Sequence, residues 1–241
     1  MKPVAVAIIC KTPSPGKSKT RLSPPLRPEE CAAISSCFIR DLSQTIQSLA
    51  DESGVQGCAV YTPSGSEAAL RRLLPDAFQL ILQGEGGLGA RLLKATGDLL
   101  AAGHAGAILV GADSPTLPKA ILRAAIDAVR QGDNVVLSPA LDGGYTLIGL
   151  SRPHARLFDD MPWSTEAVYR LTLARAAELG LPVVNVPGWY DVDDAASFRM
   201  LEDEVAGIRP AFAATHLASA DVPATRQFLR DRRNGHFNAT L

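Results

Sequence analysis

Basic residues are concentrated in one short glycine-containing segment near the N-terminus, residues 11–22. Its sequence, KTPSPGKSKTRL, places Lys17, Lys19 and Arg21 within five residues, next to Gly16. Glycine allows backbone N–H groups to approach a ligand closely, and lysine and arginine donate to phosphate oxygens. An exposed basic turn would have the same composition. Because the segment directly follows a short apolar run, we predict a phosphate-binding loop.

Carboxylates occur in two short segments that also follow apolar runs. Asp113 lies in the sequence GADSP, and Asp191, Asp193 and Asp194 lie within four residues in DVDD. One or two carboxylates are the usual protein ligands of Mg²⁺ or Mn²⁺. Asp113 could instead stabilise a turn, and Asp194 could cap the helix that follows. Asp191 and Asp193 would point the same way in an extended chain, and either could be the second metal ligand.

A fourth polar segment, residues 142–145, has the sequence DGGY. Its two glycines permit a tight turn and a close approach of the backbone, with a carboxylate and an aromatic ring alongside. A plain β-turn explains the glycines equally well. We predict a contribution to binding because this segment accompanies the other three.

Two glycine-rich motifs resemble nucleotide-binding fingerprints without completing them. Residues 84–89, GEGGLG, fit G-x-G-x-x-G, but residues 104–111 lack the carboxylate that would hold a ribose. Residues 16–18, GKS, resemble the end of a P-loop, but Lys11 stands where its first glycine is required. Two prolines, at 24 and 25, also prevent a helix from starting directly after the loop. The sequence therefore argues against an NAD enzyme and a P-loop ATPase.

Short apolar runs alternate with segments of helical periodicity along most of the chain. Helical spacing is clearest in residues 118–130, and similar stripes run through residues 38–49 and 88–99. This alternation predicts an α/β fold with a mostly parallel sheet covered on both faces, which binds ligands beyond the carboxyl ends of its strands. The predicted strands are residues 4–10, 55–61, 78–82, 107–110, 135–138 and 183–186.

The composition excludes several classes of protein. The 241 residues include 24 basic and 25 acidic ones, so the chain lacks the electrostatic signature of a general nucleic-acid binder. No apolar stretch reaches the roughly 18–20 residues that cross a bilayer, and the N-terminal residues lack the features of a signal peptide. The four cysteines form no C-x-x-C pair, so we expect reduced thiols. These features predict a cytoplasmic protein without nucleic-acid or membrane partners.

At five ordered motifs the chain resembles a known group of proteins. KTRL, GADSP, DGGY-x-LIGL, PWST and DVDD, all between Val4 and Leu201, are similar to motifs of GT-A-fold nucleotide-diphospho-sugar transferases. This group includes arsenosugar-biosynthesis-type glycosyltransferases of the DUF2064 type, and it is similar to phospholactate guanylyltransferase and molybdenum-cofactor nucleotidyltransferases. The resemblance implies a three-layer α/β/α Rossmann-like domain over residues 1–205. We expect residues 206–241 to form a C-terminal extension, a loop followed by a basic helix.

The resemblance also implies roles for individual residues. Asp113 and Asp193 would hold Mg²⁺ or Mn²⁺, and the catalytic residues would be Asp113 with the phosphate-contacting Lys19 and Arg21. Residues 194–196 are Asp-Ala-Ala where the group usually has threonine-proline-glutamate, so we expect the next helix to begin differently. The other implied nucleotide-side residues are Lys11, Gly16, Gln83, Gly89 and Arg91, and the implied acceptor-side residues are Asp142, Gly143, Gly144, Tyr145, Trp163, Ser164 and Thr165.

These expectations describe a metal-dependent transferase that takes an activated nucleotide and a small-molecule acceptor. A glycosyltransferase would use a nucleotide sugar and release a nucleoside diphosphate, whereas a nucleotidyltransferase would use an NTP and release pyrophosphate. The resemblance favours the first activity, and the crowded basic loop favours the second because a triphosphate carries more charge. No histidine lies in a recognisable dyad, so we expect direct attack by the acceptor. An inactive nucleotide-binding module is the alternative from another class, and metal-dependent turnover would exclude it.

Overall fold

The protein is a seven-stranded sheet between two layers of helices. This computed structural model describes residues 2–237. The strands are β1 Val4–Lys11, β2 Val55–Thr62, β3 Gln79–Leu82, β4 Gly106–Gly111, β5 Val135–Pro139, β6 Tyr145–Leu150 and β7 Val183–Asn185. The helices are α1 Pro28–Ser53, α2 Glu67–Arg71, α3 Leu88–Ala101, α4 Lys119–Val129, α5 Val168–Glu178, α6 Ala195–Val205 and α7 Pro223–Arg233, with 3₁₀ turns at Thr20–Leu22 and Ala155–Leu157.

The strand order in the sheet is β3-β2-β1-β4-β6-β5-β7. All neighbouring strands are parallel except those that pair with β6, which runs antiparallel to both β4 and β5. The carboxyl ends of the other strands therefore lie at the same edge as the beginning of β6. This arrangement confirms the predicted mostly parallel sheet.

The central strand β1 divides its side chains between two apolar cores. Val4, Val6 and Ile8 belong to the core that also contains side chains of α1, α4, α6 and α7. Ala5 and Ala7 belong to the core on the opposite face, with side chains of α3 and α5. Successive residues of a strand point to opposite faces, so a strand buried on both sides is apolar throughout. The predicted three-layer α/β/α arrangement is confirmed.

One strand, β6, is absent from the sequence-based prediction, while the six predicted strands correspond to β1–β5 and β7. Its sequence, YTLIGL, directly follows a glycine turn and itself contains Gly149. Glycine normally weakens a strand, and it often marks a close approach. A Cβ atom at Gly149 would lie 2.7 Å from Val129 Cγ2 of α4. The glycine therefore allows α4 to pack closely on the sheet.

The described residues contain no long apolar helix of the kind that could cross a membrane. All four cysteines are free thiols; Cys10, Cys31 and Cys58 are buried, and Cys37 is half-buried. Burial raises the pKa of the Cys10, Cys37 and Cys58 thiols to about 12. Because the thiolate is the nucleophilic form, the raised pKa disfavours reaction of these three thiols at neutral pH.

The C-terminal helix α7 is anchored to α1 by a buried carboxylate. Asp41 of α1 is 1% exposed, and it accepts hydrogen bonds from the backbone N–H groups of Ala224 at 2.9 Å and Thr225 at 2.8 Å. The first N–H groups of a helix have no partner within the helix, so a side chain from α1 caps α7 in place of a local residue. The basic helix expected after residue 206 is present over Pro223–Arg233.

Replacing Asp41 tests this anchor. Asp41→Ala leaves two N–H groups in a buried junction without a partner, and we expect the free energy of unfolding in urea to fall by about 1–3 kcal/mol. Asp221→Ala is the control, because Asp221 is exposed at the same junction and forms an ion pair with Arg226 and with no other residue among those the structure describes. We expect it to change stability by less than about 0.5 kcal/mol. Equal losses in the two variants would contradict the capping role of Asp41.

Candidate active site

The four polar segments identified in the sequence meet at the carboxyl edge of the sheet. β1 and β4 are adjacent there, with Ile9 opposite Gly111, so the segments that follow these strands begin side by side. β6 starts at the same edge, and residues 142–145 therefore approach Asp113. The segment after β7 completes the group, because the Val192 N–H donates to the backbone carbonyl of Asp113 at 2.8 Å.

At the centre of the site, the ammonium group of Lys19 lies between two carboxylates. Its Nζ atom is 2.7 Å from Asp113 Oδ1, 2.8 Å from Asp193 Oδ1 and 2.7 Å from the carbonyl oxygen of Val192. The Lys19 side chain is only 7% exposed, whereas the two carboxylates are each 43% exposed. Burial opposes the charged form of Lys19, but the Asp113 and Asp193 carboxylates outweigh it and raise the pKa of this lysine above its ordinary value.

Asp193 is held in place by the cap of the following helix. Asp194 accepts hydrogen bonds from the backbone N–H groups of Ala196 at 3.0 Å and Ser197 at 2.8 Å. The Ser197 hydroxyl in turn accepts from the N–H of Asp193 at 2.9 Å. Asp194 therefore caps α6, as one interpretation of the sequence predicted. Ser197 forms the second half of this capping box, so α6 begins differently from the threonine-proline-glutamate start, as expected. The cap fixes the backbone on which Asp193 lies.

A cavity of about 350 Å³ lies beside this ion pair; we call it the basic cavity. The exposed side chains of Lys11, Lys17 and Arg21 line it, and none of them forms an ion pair within residues 2–237. Gly16 shapes the loop with a φ of 70°, a left-handed conformation that favours glycine. The structure therefore places the predicted phosphate loop around one cavity. It pairs Lys19 with carboxylates, however, while the other basic groups stay free.

A second cavity, of about 280 Å³, adjoins the first and contains most of the predicted acceptor-side residues. We call it the acidic cavity, because Asp113, Asp142 and Asp191 are its only charged lining residues. Burial raises the pKa of Asp191 to about 7, and the nearby Asp142, Asp193 and Asp113 carboxylates add to this effect. The two cavities share Ile9, Ala112, Asp113 and Ser164, and the other predicted lining residues are Gly144, Tyr145, Trp163 and Thr165.

Asp191 and Asp193 do not point into the same cavity. Asp193 lines the basic cavity and contacts Lys19, whereas Asp191 lines the acidic cavity. The expectation that both carboxylates point the same way is therefore wrong. Val192 lies between the two aspartates in the sequence. Its N–H donates to the loop after β4 and its carbonyl accepts from Lys19, and this fixed backbone directs the two carboxylates into different cavities. Asp193 is the better placed of the two to share a cation with Asp113.

Three residues predicted to lie near a base or ribose, Gln83, Gly89 and Arg91, have close contacts within the protein. The Gln83 amide donates to the carbonyl oxygens of Cys10 at 3.1 Å and Val60 at 3.0 Å, which ties together the ends of β1 and β2. Arg91 donates to the Gly86 carbonyl at 2.9 Å. Neither Gln83, Gly89 nor Arg91 lines the basic or the acidic cavity. Their contact with a nucleotide stays a prediction.

The turn between β5 and β6 is docked on the segment that leads into α5. Gly143 has a φ of 87°, and a Cβ atom there would lie 2.5 Å from the Glu166 carbonyl oxygen. The Gly143 carbonyl accepts from the Tyr169 N–H at 2.9 Å, and Asp142 Oδ1 accepts from the Gly144 N–H at 2.8 Å. The glycines therefore form a tight turn that packs closely on the backbone of the protein itself, and their contact with a ligand stays a prediction.

The family of the chain follows from a comparison with known proteins. Residues 45–165 match the family described as "Uncharacterized protein conserved in bacteria (DUF2064)". The matched part is half of the chain, and it includes Asp113 and most of the residues that line the acidic cavity, but not Ile9, Val168 or Asp191. The chain belongs to this family.

Solved structures share the fold of this DUF2064 protein. A protein of Desulfovibrio desulfuricans G20, provisionally named a nucleotide-diphospho-sugar transferase, is 24% identical with a TM-score of 0.81, over 97% of this chain and 96% of its own. CMP:2-keto-3-deoxy-manno-octonic acid synthetase in complex with CTP is 11% identical with a TM-score of 0.56, over 85% of this chain and 99% of its own. These likenesses confirm the fold expected from the sequence.

A more distant structural relative contains a metal ion. Glucosyl-3-phosphoglycerate synthase of Mycobacterium tuberculosis, in complex with Mn²⁺, UDP and phosphoglyceric acid, is 11% identical with a TM-score of 0.51, over 87% of this chain and 80% of its own. A curated protein of Pongo abelii, provisionally named protein-lysine deacylase ABHD14B, is 32% identical over 85 residues. That match covers 35% of this chain and 40% of the curated relative, so it spans less than half of either protein.

Gly89 of this DUF2064 protein provides a test of how the acidic cavity is built. A Cβ atom at Gly89 would lie 2.5 Å from the Phe158 carbonyl oxygen and 3.2 Å from Trp163 Nε1. We expect Gly89→Ala to lower the free energy of unfolding by about 1–3 kcal/mol and to displace Trp163, observed as a change in tryptophan fluorescence. Gly87→Ala is the control, because a Cβ there would meet nothing within 4 Å. Identical behaviour of the two variants would contradict the packing role of Gly89.

Proposed function

We propose that this protein is a cytoplasmic transferase that uses an activated nucleotide together with a divalent metal ion, and that its donor is a nucleotide-diphospho-sugar. One observation carries the proposal. Asp113 and Asp193 share a single buried cation, the Lys19 ammonium, beside a cavity whose remaining basic side chains have no counter-ion within residues 2–237. A carboxylate pair for a metal ion and free basic groups for phosphate are what a metal–diphosphate complex requires.

The groups around the Lys19 ammonium fit a hard cation. All three are oxygen atoms, two from carboxylates and one from the Val192 carbonyl, the ligand type that Mg²⁺ and Mn²⁺ prefer. No cluster of three or more His, Cys, Asp or Glu side chains in the described part of the chain could hold a metal ion. Water and phosphate oxygens would therefore complete the coordination, and the metal, when bound, would neutralise charge on the leaving diphosphate.

The free basic side chains would hold the phosphate groups. Lys11, Lys17 and Arg21 are exposed and unpaired in the described structure, so no internal ion pair has to be broken before they bind a ligand. Arg21 can donate two parallel hydrogen bonds to one phosphate, and the two lysines act as mobile point charges. These residues would stabilise the charge that develops on the leaving group.

The acidic cavity would receive the acceptor. Within residues 2–237 its lining includes no lysine, arginine or histidine, so the Asp142 carboxylate, together with Asp191 when it is ionised, would repel a phosphorylated acceptor. A hydroxyl group would instead find carboxylate oxygens to which it can donate, and Trp163 offers an apolar face. This chemistry favours an uncharged, hydroxyl-bearing acceptor. Because the two cavities share Asp113, such a hydroxyl group would lie next to the metal ion and the donor.

A second activity is favoured by the number of free basic groups. Lys11, Lys17 and Arg21 together suit the larger charge of a triphosphate, and a nucleotidyltransferase would transfer NMP to a small acceptor and release pyrophosphate. Relatives in fold include one in complex with CTP and one in complex with Mn²⁺ and UDP. The charge of the acceptor distinguishes the two activities. Transfer of NMP to a phosphorylated acceptor would place the phosphate of the acceptor next to the carboxylates of the acidic cavity, which disfavour it.

A thermal-shift screen distinguishes these activities, because a ligand that binds the native state raises Tm. Nucleotide sugars and NTPs are each tested with and without Mn²⁺, and products are then analysed with hydroxylated acceptors. We expect a metal-dependent rise in Tm with a nucleotide sugar, followed by release of a nucleoside diphosphate. A rise confined to NTPs, with release of pyrophosphate, would establish nucleotidyl transfer instead. Absence of any shift would overturn the transferase proposal in favour of an inactive module.

Asp113→Asn tests the metal assignment directly. The substitution keeps the shape of the side chain but removes its charge, and we expect turnover to fall by about 10²-fold or more while the circular dichroism spectrum is unchanged. Asp76→Asn is the matched control, because Asp76 is an exposed carboxylate outside both cavities. Full activity of Asp113→Asn would contradict the proposed role of Asp113.

A further inference from the structure

Lys19 occupies the position that the proposed metal ion requires. A lysine ammonium has three N–H donors, and the three oxygen atoms within 2.8 Å of Nζ satisfy all of them. The side chain is 7% exposed, and its ammonium lies 5.9 Å from the centre of the Phe38 ring. The cation site is therefore already filled, from within the chain, by a side chain with a complete set of partners.

A metal ion and the Lys19 ammonium cannot share these oxygens. Mg²⁺ lies about 2.0–2.1 Å from its oxygen ligands. An ion that bound Asp113 Oδ1 and Asp193 Oδ1 together would take the two oxygens that Nζ contacts at 2.7 and 2.8 Å, and it would lie less than about 5 Å from the present Nζ position. Two cations so close, one of them on a side chain that is only 7% exposed, repel each other. Metal binding therefore requires the ammonium group to leave.

The structure offers the ammonium group one adjacent destination. Lys19 itself lines the basic cavity, where Lys11, Lys17 and Arg21 already present positive charge. A displaced ammonium would gain no counter-ion there from the described residues, because Asp113 and Asp193 are the only carboxylates among residues 2–237 that line this cavity. An anion from outside, such as the phosphate groups of a nucleotide, would supply the missing partner. The four-carbon stem of lysine allows this movement without a change in the backbone.

We propose that Lys19 is an internal counter-ion that keeps the metal site closed until phosphate groups receive its ammonium. Metal ion and nucleotide then bind cooperatively, because each removes an obstacle to the other: the metal displaces Lys19, and the phosphates give Lys19 a new partner. By linkage, the two ligands raise each other's affinity by the same factor. This inference rests on the proposed metal and nucleotide site, and it assigns Lys19 a positioning role in addition to phosphate contact.

Binding of Mn²⁺ alone tests the proposal without any need for turnover. Free Mn²⁺ is followed by electron paramagnetic resonance during titration of the wild type, Lys19→Met and Lys17→Met. Lys19→Met keeps the length of the side chain but removes the competing charge, and we expect Mn²⁺ affinity to rise about tenfold or more. Lys17→Met is the control, because it removes one charge from the same loop but contacts neither Asp113 nor Asp193. We expect little change for it.

A double variant separates failure of this proposal from failure of the proposed metal site. If Lys19→Met binds Mn²⁺ no more tightly than the wild type, while adding Asp113→Asn abolishes binding, the metal site stands and the counter-ion role is overturned. If Mn²⁺ binding survives Asp113→Asn, the metal site itself is wrong. If Lys19→Met binds Mn²⁺ and the wild type binds none even with nucleotide, Lys19 is a permanent substitute for the metal and displacement is overturned.

Measurement of Tm with and without Mn²⁺ tests the same proposal if Lys19→Met is too unstable for the titration. Loss of the ammonium leaves Asp113 and Asp193 facing each other without a counter-ion, so we expect a lower Tm in the absence of metal. Mn²⁺ should then raise the Tm of Lys19→Met by more than it raises that of the wild type, because it replaces the missing charge. Equal Mn²⁺-induced shifts in the two proteins would contradict the proposal.

Discussion

An ammonium group that is almost fully removed from solvent must find its counter-charges within the protein, and for Lys19 these come from distant parts of the chain. Asp113 follows β4, and Asp193 lies 174 residues after Lys19. A buried charge is costly unless it is paired and hydrogen-bonded. The loop after β1 therefore adopts its observed form only when the loops after β4 and β7 are in place. Lys19 also adopts a left-handed backbone conformation, with a φ of 48°, which adds to this dependence.

Helix α7 contacts the segment that follows the basic loop. Arg232 of α7 donates to the carbonyl oxygen of Pro25 at 3.2 Å, just beyond the basic loop, and lies 3.4 Å from Glu30 at the start of α1. Its guanidinium group is also 5.9 Å from the Phe198 ring of α6. One side chain thus connects α7 with α1, with α6 and with the segment that follows Lys19. Together with the Asp41 cap, it makes α7 part of the framework of the site.

The sequence predicts the strands and helices of this protein better than it predicts where individual side chains point. Strand runs such as residues 4–10 are apolar because both faces are buried, and that signal is local. β6 is harder to predict because Gly149 is explained by close contacts with side chains of other elements, above all with Val129 of α4. Residue type likewise predicts that Lys19 binds an anion, but only the folded loops decide that this anion is a carboxylate. The Val192 carbonyl gives no sequence signal at all, since every residue has one.

The turn at Gly143 has a consequence for how such a site can change over evolutionary time. Gly143 lies against the backbone of Glu166 and bonds to Tyr169, so the β5–β6 turn and the segment entering α5 form one interlocked unit. Neither segment carries Asp113 or Asp193. The unit can be remodelled to accept a different molecule while the cation-binding pair is preserved, provided that both segments change together. Under the proposed function, the residues that select the acceptor would lie mainly on this unit, whereas Asp113 and Asp193 lie on the loops after β4 and β7, so acceptor selectivity would be able to change while the cation-binding pair is kept.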